Sequence, residues 1–417
     1  MNYIKSITVK NFFSIKNEIT LDFKANQYTV DNHPDRVYKL NKEFYNKAIA
    51  IYGANASGKT SILKALVFVS AVINNQRDNF IPYSIRNKFN NRKSKTHIEV
   101  CFIISDKEYR YTITLSGKEF ENTSIDDEIL EELEENGKEI LFERKKQSTS
   151  KEIIKNQVDI EIFNTLMERD PNIHKVLSKS ILEKISQSKS IIQEFSKSKN
   201  DTIFKEIKSF FNHINKTSNI EFFNTRLDTR EKELISIGEN IENNPDIHKF
   251  IINFFDSIGL DIKDFEVIKE KNDLVESMEI FTKHTISKNK KLEFILESSG
   301  TKSLTKFLVD IFLAKENNSI LVLDEFDSII HPALVPMILN LLRQNDIQII
   351  YTTHNIYNMK FLSHDELFLI EKDSTHNTKV IPVKDDKRYK GFENKLALYE
   401  ANRLGGTPDI HKFIVEI

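Results

Sequence analysis

Residues Ala48-Ile49-Ala50-Ile51-Tyr52 run directly into Gly53-Ala54-Asn55-Ala56-Ser57-Gly58-Lys59-Thr60. The first five are a short apolar run that ends at a glycine, as a buried parallel strand does before a turn. The next eight match G-x-x-x-x-G-K-[ST], a phosphate-binding loop. From Gly58 to about Ile73 the pattern is that of an apolar helix. Gly53 and Gly58 let the backbone turn with its N–H groups facing an anion. The helix that starts near Gly58 aims its positive dipole end at the same anion. Lys59 is placed to reach the β- and γ-phosphates of ATP, and the Thr60 hydroxyl to hold Mg²⁺. Asn55, Ala56, Ser57 and Ser61 complete the expected cradle. The chain has only 10 glycines. Two at this spacing, followed by Lys-Thr, arise by chance in roughly one such sequence in several hundred.

A second apolar strand, Ser319-Ile320-Leu321-Val322-Leu323, delivers Asp324 and Glu325 at its end. That is the end of a strand where α/β sheets place ligands. Asp324 is expected to hold Mg²⁺ through water, and Glu325 to orient or deprotonate an attacking water. A third, Ile349-Ile350-Tyr351-Thr352, ends in Thr353-His354-Asn355. The pattern predicts a helix at 300–315, strands at 319–323, 347–352 and 366–370, and a helix at 332–344. This β-α-β order implies a parallel sheet. Glu297-Ser298-Ser299-Gly300-Thr301-Lys302 opens the first of those helices. A Ser-Gly pair there is either a simple N-cap or a second anion-binding device.

Elsewhere the chain reads as strands at 2–10 and 17–24 and as a hairpin over 97–104 and 107–115. Asp126–Glu135 carries seven acids in ten residues, which reads as a solvated helix face or loop. Arg144 to Lys216 reads as helical and basic, with 15 Lys+Arg against 9 Asp+Glu. Helical character continues to about Asp256, and strands return near 264–270 and 276–282. The expected fold class is therefore α/β, a mixed or parallel sheet flanked by helices. The first 115 residues and the last 125 or so each hold half of that sheet. The expected division is 1–115, a mainly helical insertion with a few strands over 116–290, and 291–417.

Composition bounds the rest. The 417 residues carry 60 Lys+Arg and 62 Asp+Glu, a formal charge of −2. That balance argues against coating nucleic acid by net charge, although a local patch can still bind. A single cysteine, Cys101, rules out an intramolecular disulfide and a cysteine-built zinc site. No stretch has the apolar length of a signal peptide or a membrane span. The expected location is the cytoplasm, with no membrane partner.

VKNFFSIKNEITLDF, GANASGKT, ESSGTKSL, LVLDEFDSIIHPAL and YTTHN follow one another in that order. Together they resemble the RecF/SMC/OLD-like ABC-class ATPases. The resemblance is closer to the abortive-infection group of AbiLi/RloA-type AAA ATPases, also seen in PARIS-like defence systems. Asp365–Lys372 and the Arg403-Leu404-Gly405-Gly406-Thr407-Pro408 tail carry that second likeness. The resemblance implies an ABC-type head in which Ser299 and Gly300 form the signature turn and reach the γ-phosphate bound to another subunit. It implies that His354 contacts the γ-phosphate and helps hold water, and it puts Asp327 and His331 where a dimer-facing loop lies. Pro332 also suits the first position of the following helix. The transporter form of the signature, with a second Gly and a Gln, is absent. A Gln loop is not identifiable; Gln147 and Gln157 are the nearest glutamines after the hairpin.

The resemblance implies a homodimer or higher homo-oligomer that sandwiches ATP and switches on hydrolysis. It implies anti-phage defence, with a separately encoded toxin or nuclease effector and a phage-derived trigger. The alternative is a RecF-like DNA-repair ATPase that clamps DNA through the basic 144–216 segment; the bland reading of that segment is a solvated helical face.

Overall fold

The computed structural model describes residues 2–74, 85–91, 94–116, 124–135, 137–146, 156–158, 189–197, 203–217, 220, 229–272, 275–285, 290–383 and 395–400. The chain opens with β1 (Tyr3–Lys10) and β2 (Ile19–Asp22), an antiparallel pair. A small hairpin, β3 (Val37–Leu40) and β4 (Glu43–Asn46), leads into β5 (Ala48–Gly53), the strand before the phosphate loop. Beyond the helix Lys59–Ile73 come β6 (Thr96–Ile104), β7 (Lys107–Ser116), β8 (Ser124–Glu134), β9 (Gly137–Lys146) and β10 (Asn156–Val158). These five join the first two strands in one antiparallel sheet, ordered β10-β9-β8-β7-β6-β1-β2.

Helices Ile191–Phe195, Ile203–Thr217, Thr229–Asn243 and Pro245–Ser257 follow. Then β11 (Asp264–Asn272), β12 (Val275–Lys283) and β13 (Lys291–Glu293) make a three-stranded sheet. The last part holds the helix Ser299–Glu316, β14 (Leu321–Leu323), the helix Val335–Gln344, β15 (Ile349–Thr352), β16 (Leu367–Lys372) and β17 (Thr378–Pro382). It takes β5 into its own sheet, ordered β14-β15-β5-β16-β17. The first four of these are parallel, and β17 returns antiparallel to β16.

So the two ends of the chain share the parallel sheet, but not as equal halves. The first 115 residues contribute only β5 to the parallel sheet and build most of a second one. The Lys59–Ile73 helix lies between the two. Its Leu63, Leu66 and Phe68 pack with Ile49, Ile51, Val322 and Ile350 on one side and with Ile7, Val100 and Tyr111 on the other. A helix covered on all sides must be apolar all round, which is how this one reads. The opposite face of the parallel sheet (Ala50, Tyr52, Leu321, Leu323 and Tyr351) packs with Leu304, Phe307, Leu308 and Ile311 of the Ser299–Glu316 helix. Alternate residues of β5 thus face different helices.

The acidic run Asp126–Glu135 is a correction. It is largely strand β8, not a solvated helix or loop, and the antiparallel sheet therefore runs past residue 115. The physical reason is its neighbours. Lys107 bonds Glu132 at 2.7 Å, Arg110 bonds Glu131 at 3.3 Å, and Lys95 pairs with Asp126 at 2.9 Å. Glu128 is fully buried. It is held by Arg144 at 2.6 Å, the Tyr111 hydroxyl at 2.9 Å and the Ser190 hydroxyl at 2.6 Å. A strand can carry such charge when the strands beside it carry the opposite one. Much of the basic 144–216 segment and all of Arg403–Pro408 lie outside the described residues. Among the described residues no helix is long and apolar enough to cross a membrane.

Gln348 ties the two sheets together. Its side chain is fully buried. It accepts from the Ile4 N–H at 2.8 Å and donates to the Ile4 carbonyl at 3.0 Å and the Asn46 carbonyl at 3.1 Å. Ile4 sits where the register of β1 against β6 shifts. Buried backbone groups that lose partners cost about 1–3 kcal/mol each. Gln348→Ala is therefore expected to destabilise the fold by about 3 kcal/mol, read as a lowered urea midpoint. An unchanged midpoint would mean that this side chain does not join the layers.

Candidate active site

Four parallel strands end at one edge: β5 at Gly53, β14 just before Asp324, β15 just before Thr353-His354, and β16 at Lys372. Sterics dictate the two loop glycines. A Cβ on Gly53 would lie 2.4 Å from the Ile370 carbonyl oxygen of the neighbouring strand. On Gly58, at φ +116°, it would lie 2.4 Å from Thr378 Oγ1 and 2.7 Å from Ser14 Oγ. Lys59 is buried, and its Nζ donates to the Gly53 and Ala54 carbonyls at 2.8 and 3.0 Å. The ammonium is thereby folded against its own loop. The Ser57 hydroxyl is buried and has no hydrogen-bond partner among the described residues. A cleft of about 310 Å³ opens here, lined by residues that include Ser14, Ser57, Lys59, Thr60, Ser61 and Lys372. A confined cation, an orphan hydroxyl and a helix N-terminus in one cleft suit a phosphate.

Across the edge, Asp324 Oδ1 accepts from Thr60 Oγ1 at 3.2 Å and also from Thr352 Oγ1. Thr352 Oγ1 in turn accepts from the Glu325 N–H at 2.8 Å. Glu325 has φ +50°, ψ +53°, a left-handed backbone that a β-carbon makes costly. Its exposed side chain leaves the strand end at that turn. Lys64, one helical turn beyond Thr60, is half-buried, and burial lowers its pKa, a shift that Asp324 opposes.

The fold thus brings Gly53, Ser57, Gly58, Lys59, Thr60, Ser61, Asp324 and Glu325 to one sheet edge. Asn55 and Ala56 are exposed at the loop tip, Ala56 with φ +61°. His354 is exposed two residues beyond Thr352. Thr60 and Asp324 already share a contact, and a hydroxyl with a carboxylate is the oxygen donor set that Mg²⁺ takes. Ser299 and Gly300 are not brought to this cleft. Their helix lies on the opposite face of the sheet from the Lys59–Ile73 helix. Ser298 caps that helix, its Oγ accepting from the Thr301 N–H at 3.0 Å. Ser299 and Gly300 are exposed in its first turn. His331 is exposed, and its Nδ1 accepts from the Ala333 N–H at 3.3 Å, with Pro332 opening the turn. Gln147 and the side chains of Gln157 and Asp327 lie outside the described residues.

The family model described as "AAA domain, putative AbiEii toxin, Type IV TA system" matches residues 48–359. The chain belongs to this AAA ATPase family. The match begins at β5 and ends just past His354, so it spans the phosphate loop, Asp324-Glu325 and His354. No curated protein matches the sequence. Solved structures similar to this chain include an SmcHead bound to the C-winged helix domain of ScpA. It has 14% identity and a TM-score of 0.45, over 93% of this chain and 99% of that one. Another is an Smc head domain with an extended coiled coil, bound to the C-terminal domain of ScpA derived from Pyrococcus furiosus. It has 14% identity and a TM-score of 0.42, over 91% and 96%.

Several residues of the site had no signal of their own in the sequence. Thr352 stood in the quoted YTTHN run but was overshadowed by His354. Ser14 reaches the loop from the β1–β2 turn, its Oγ donating to Ser61 Oγ at 2.9 Å. Thr378, from the far strand, donates to the Ser57 carbonyl at 3.0 Å. Only the fold unites them. Thr352→Val is expected to lower the kcat of ATP hydrolysis tenfold or more, about 1.4 kcal/mol, with little change in nucleotide affinity. A variant with the full rate would show that the Asp324–Thr352–Glu325 link does not position the site.

Proposed function

We propose that this protein is a Mg²⁺-dependent ATPase whose two sites form only between two copies arranged head to tail. One observation carries the reading: the helices that follow the phosphate loop and the Ser299-Gly300 turn lie on opposite faces of one sheet, so a single copy offers only half of a site. Gly300 adds weight. The nearest atom to a Cβ there is Ser298 Oγ, at 3.8 Å. A glycine inside a helix costs roughly 0.5–1 kcal/mol relative to alanine. Nothing among the described residues requires it, whereas close approach of another molecule would.

In this reading the loop N–H groups and Lys59 take the β- and γ-phosphate charge. Thr60 and Asp324 hold Mg²⁺, which when bound neutralises charge on the phosphate oxygens. Thr352 keeps the Asp324 carboxylate and the Glu325 backbone in place. Glu325 orients the attacking water and takes its proton, and His354 helps to hold that water. A second copy supplies Ser299 and Gly300. ATP closes the pair and hydrolysis opens it, a two-state switch.

We further propose that the switch serves anti-phage defence by abortive infection, gating a separately encoded toxin or nuclease after a phage-derived trigger. The toxin–antitoxin context of the matched family supports this. The test is a pull-down and phage-plating comparison of wild type and Glu325→Gln, expressed with the neighbouring genes. Co-purification of a neighbour, with protection lost when it or Glu325 is removed, is the expected result. Absence of protection together with sensitivity to DNA damage would replace this biology with the DNA-repair clamp.

A further inference from the structure

We infer that a second copy is clasped by an apolar contact between Phe89 of one chain and Ile295-Leu296 of the other, beside each shared ATP. The inference rests on the head-to-tail reading and specifies its surface. Phe89 is 77% exposed, and Ile295 and Leu296 are 57% and 65% exposed. Each spot flanks one half-site. Ile295-Leu296 ends three residues before Ser299. Lys302 Nζ, from the same helix, donates to the Ile295 carbonyl at 2.7 Å and holds the segment to the turn.

Phe89 is linked to the phosphate cleft through Asn87 and the Phe13-Ser14 turn. Its N–H donates to Asn87 Oδ1 at 2.9 Å, and Asn87 Nδ2 donates to the Phe13 carbonyl at 2.7 Å. The Phe13 N–H donates back to the Ile85 carbonyl at 2.7 Å. The next residue, Ser14, lines the phosphate cleft. Thus each half-site carries an exposed apolar spot at its margin. In a head-to-tail pair the two spots meet between copies.

Charge agrees. Lys88 stands next to Phe89, and Glu293 two residues before Ile295. Lys88 and Glu293 are exposed. Opposite charges around an apolar centre favour encounter and orientation. Phe89 alone presents roughly 150 Å². Repeated by the twofold, the clasp covers on the order of 700 Å², nearly half of a standard interface.

Cross-linking tests it in the Glu325→Gln background. Cys101 is the only native cysteine and is buried, so introduced thiols report cleanly. A Phe89→Cys chain is mixed with a Leu296→Cys chain, ATP, Mg²⁺ and a short bismaleimide. The control pairs Leu296→Cys with Tyr28→Cys, which is 66% exposed on the helix tied to Asp365, at the opposite end of β16 from Lys372. The expected result is an ATP-dependent covalent dimer at least tenfold above the control. Light scattering on the same samples separates two failures. A dimer without this cross-link overturns the clasp alone; no ATP-dependent dimer overturns the clasp and the head-to-tail reading together. Phe89→Asp should also weaken dimerisation tenfold or more at unchanged ATP affinity of the single chain, and unchanged dimerisation would overturn the clasp.

Discussion

The Asp324 carboxylate accepts hydrogen bonds from hydroxyls on two other elements, Thr60 at the start of the loop helix and Thr352 at the end of β15. Three chain segments far apart in sequence are thereby fixed at one sheet edge. The arrangement needs β14, β15 and β5 in parallel register, so that their C-terminal ends coincide. It also needs Glu325 to turn sharply away, which its positive φ accomplishes. A backbone cost at that residue is acceptable because Thr352 receives its N–H.

The remainder of the fold holds that edge in place. The loop helix is clamped between two sheets, so the phosphate loop has a rigid floor. Gln348 and the buried Arg343–Glu366 pair, 2.7 Å apart, join the parallel sheet to its surroundings. Burial raises the Glu366 carboxyl pKa, and Arg343 and Arg36 oppose that shift. Such a pair adds little net stability, since desolvation offsets most of the attraction.

Much of this was legible in the residues. The β5 run, the loop, the Asp324-Glu325 strand end and the β-α-β order each have a periodicity or a spacing with a single physical meaning. What misled was charge. Asp126–Glu135 looked solvated because a strand's cross-strand partners are invisible in its own sequence; Lys107, Arg110 and Arg144 decide its structure. Two sheets looked like one because alternation identifies a strand but not the sheet it joins. Ser14, Thr352 and Thr378 are small polar residues that carry no pattern. They become site residues only when β1, β15 and β17 converge on the loop. The separation of Ser299-Gly300 from the phosphate cleft is likewise a property of the two faces of a sheet, and it is the observation on which the proposed second copy rests.

The most direct test of a site shared between two copies is subunit mixing. Lys59→Ala removes the loop function and Ser299→Arg blocks the turn, so each variant alone should be inactive. Mixed in equal amounts, half of the dimers would contain one intact site out of two. ATPase activity should then return to about a quarter of the wild-type value. No recovery on mixing, or full activity of Ser299→Arg alone, would contradict a site shared between two copies.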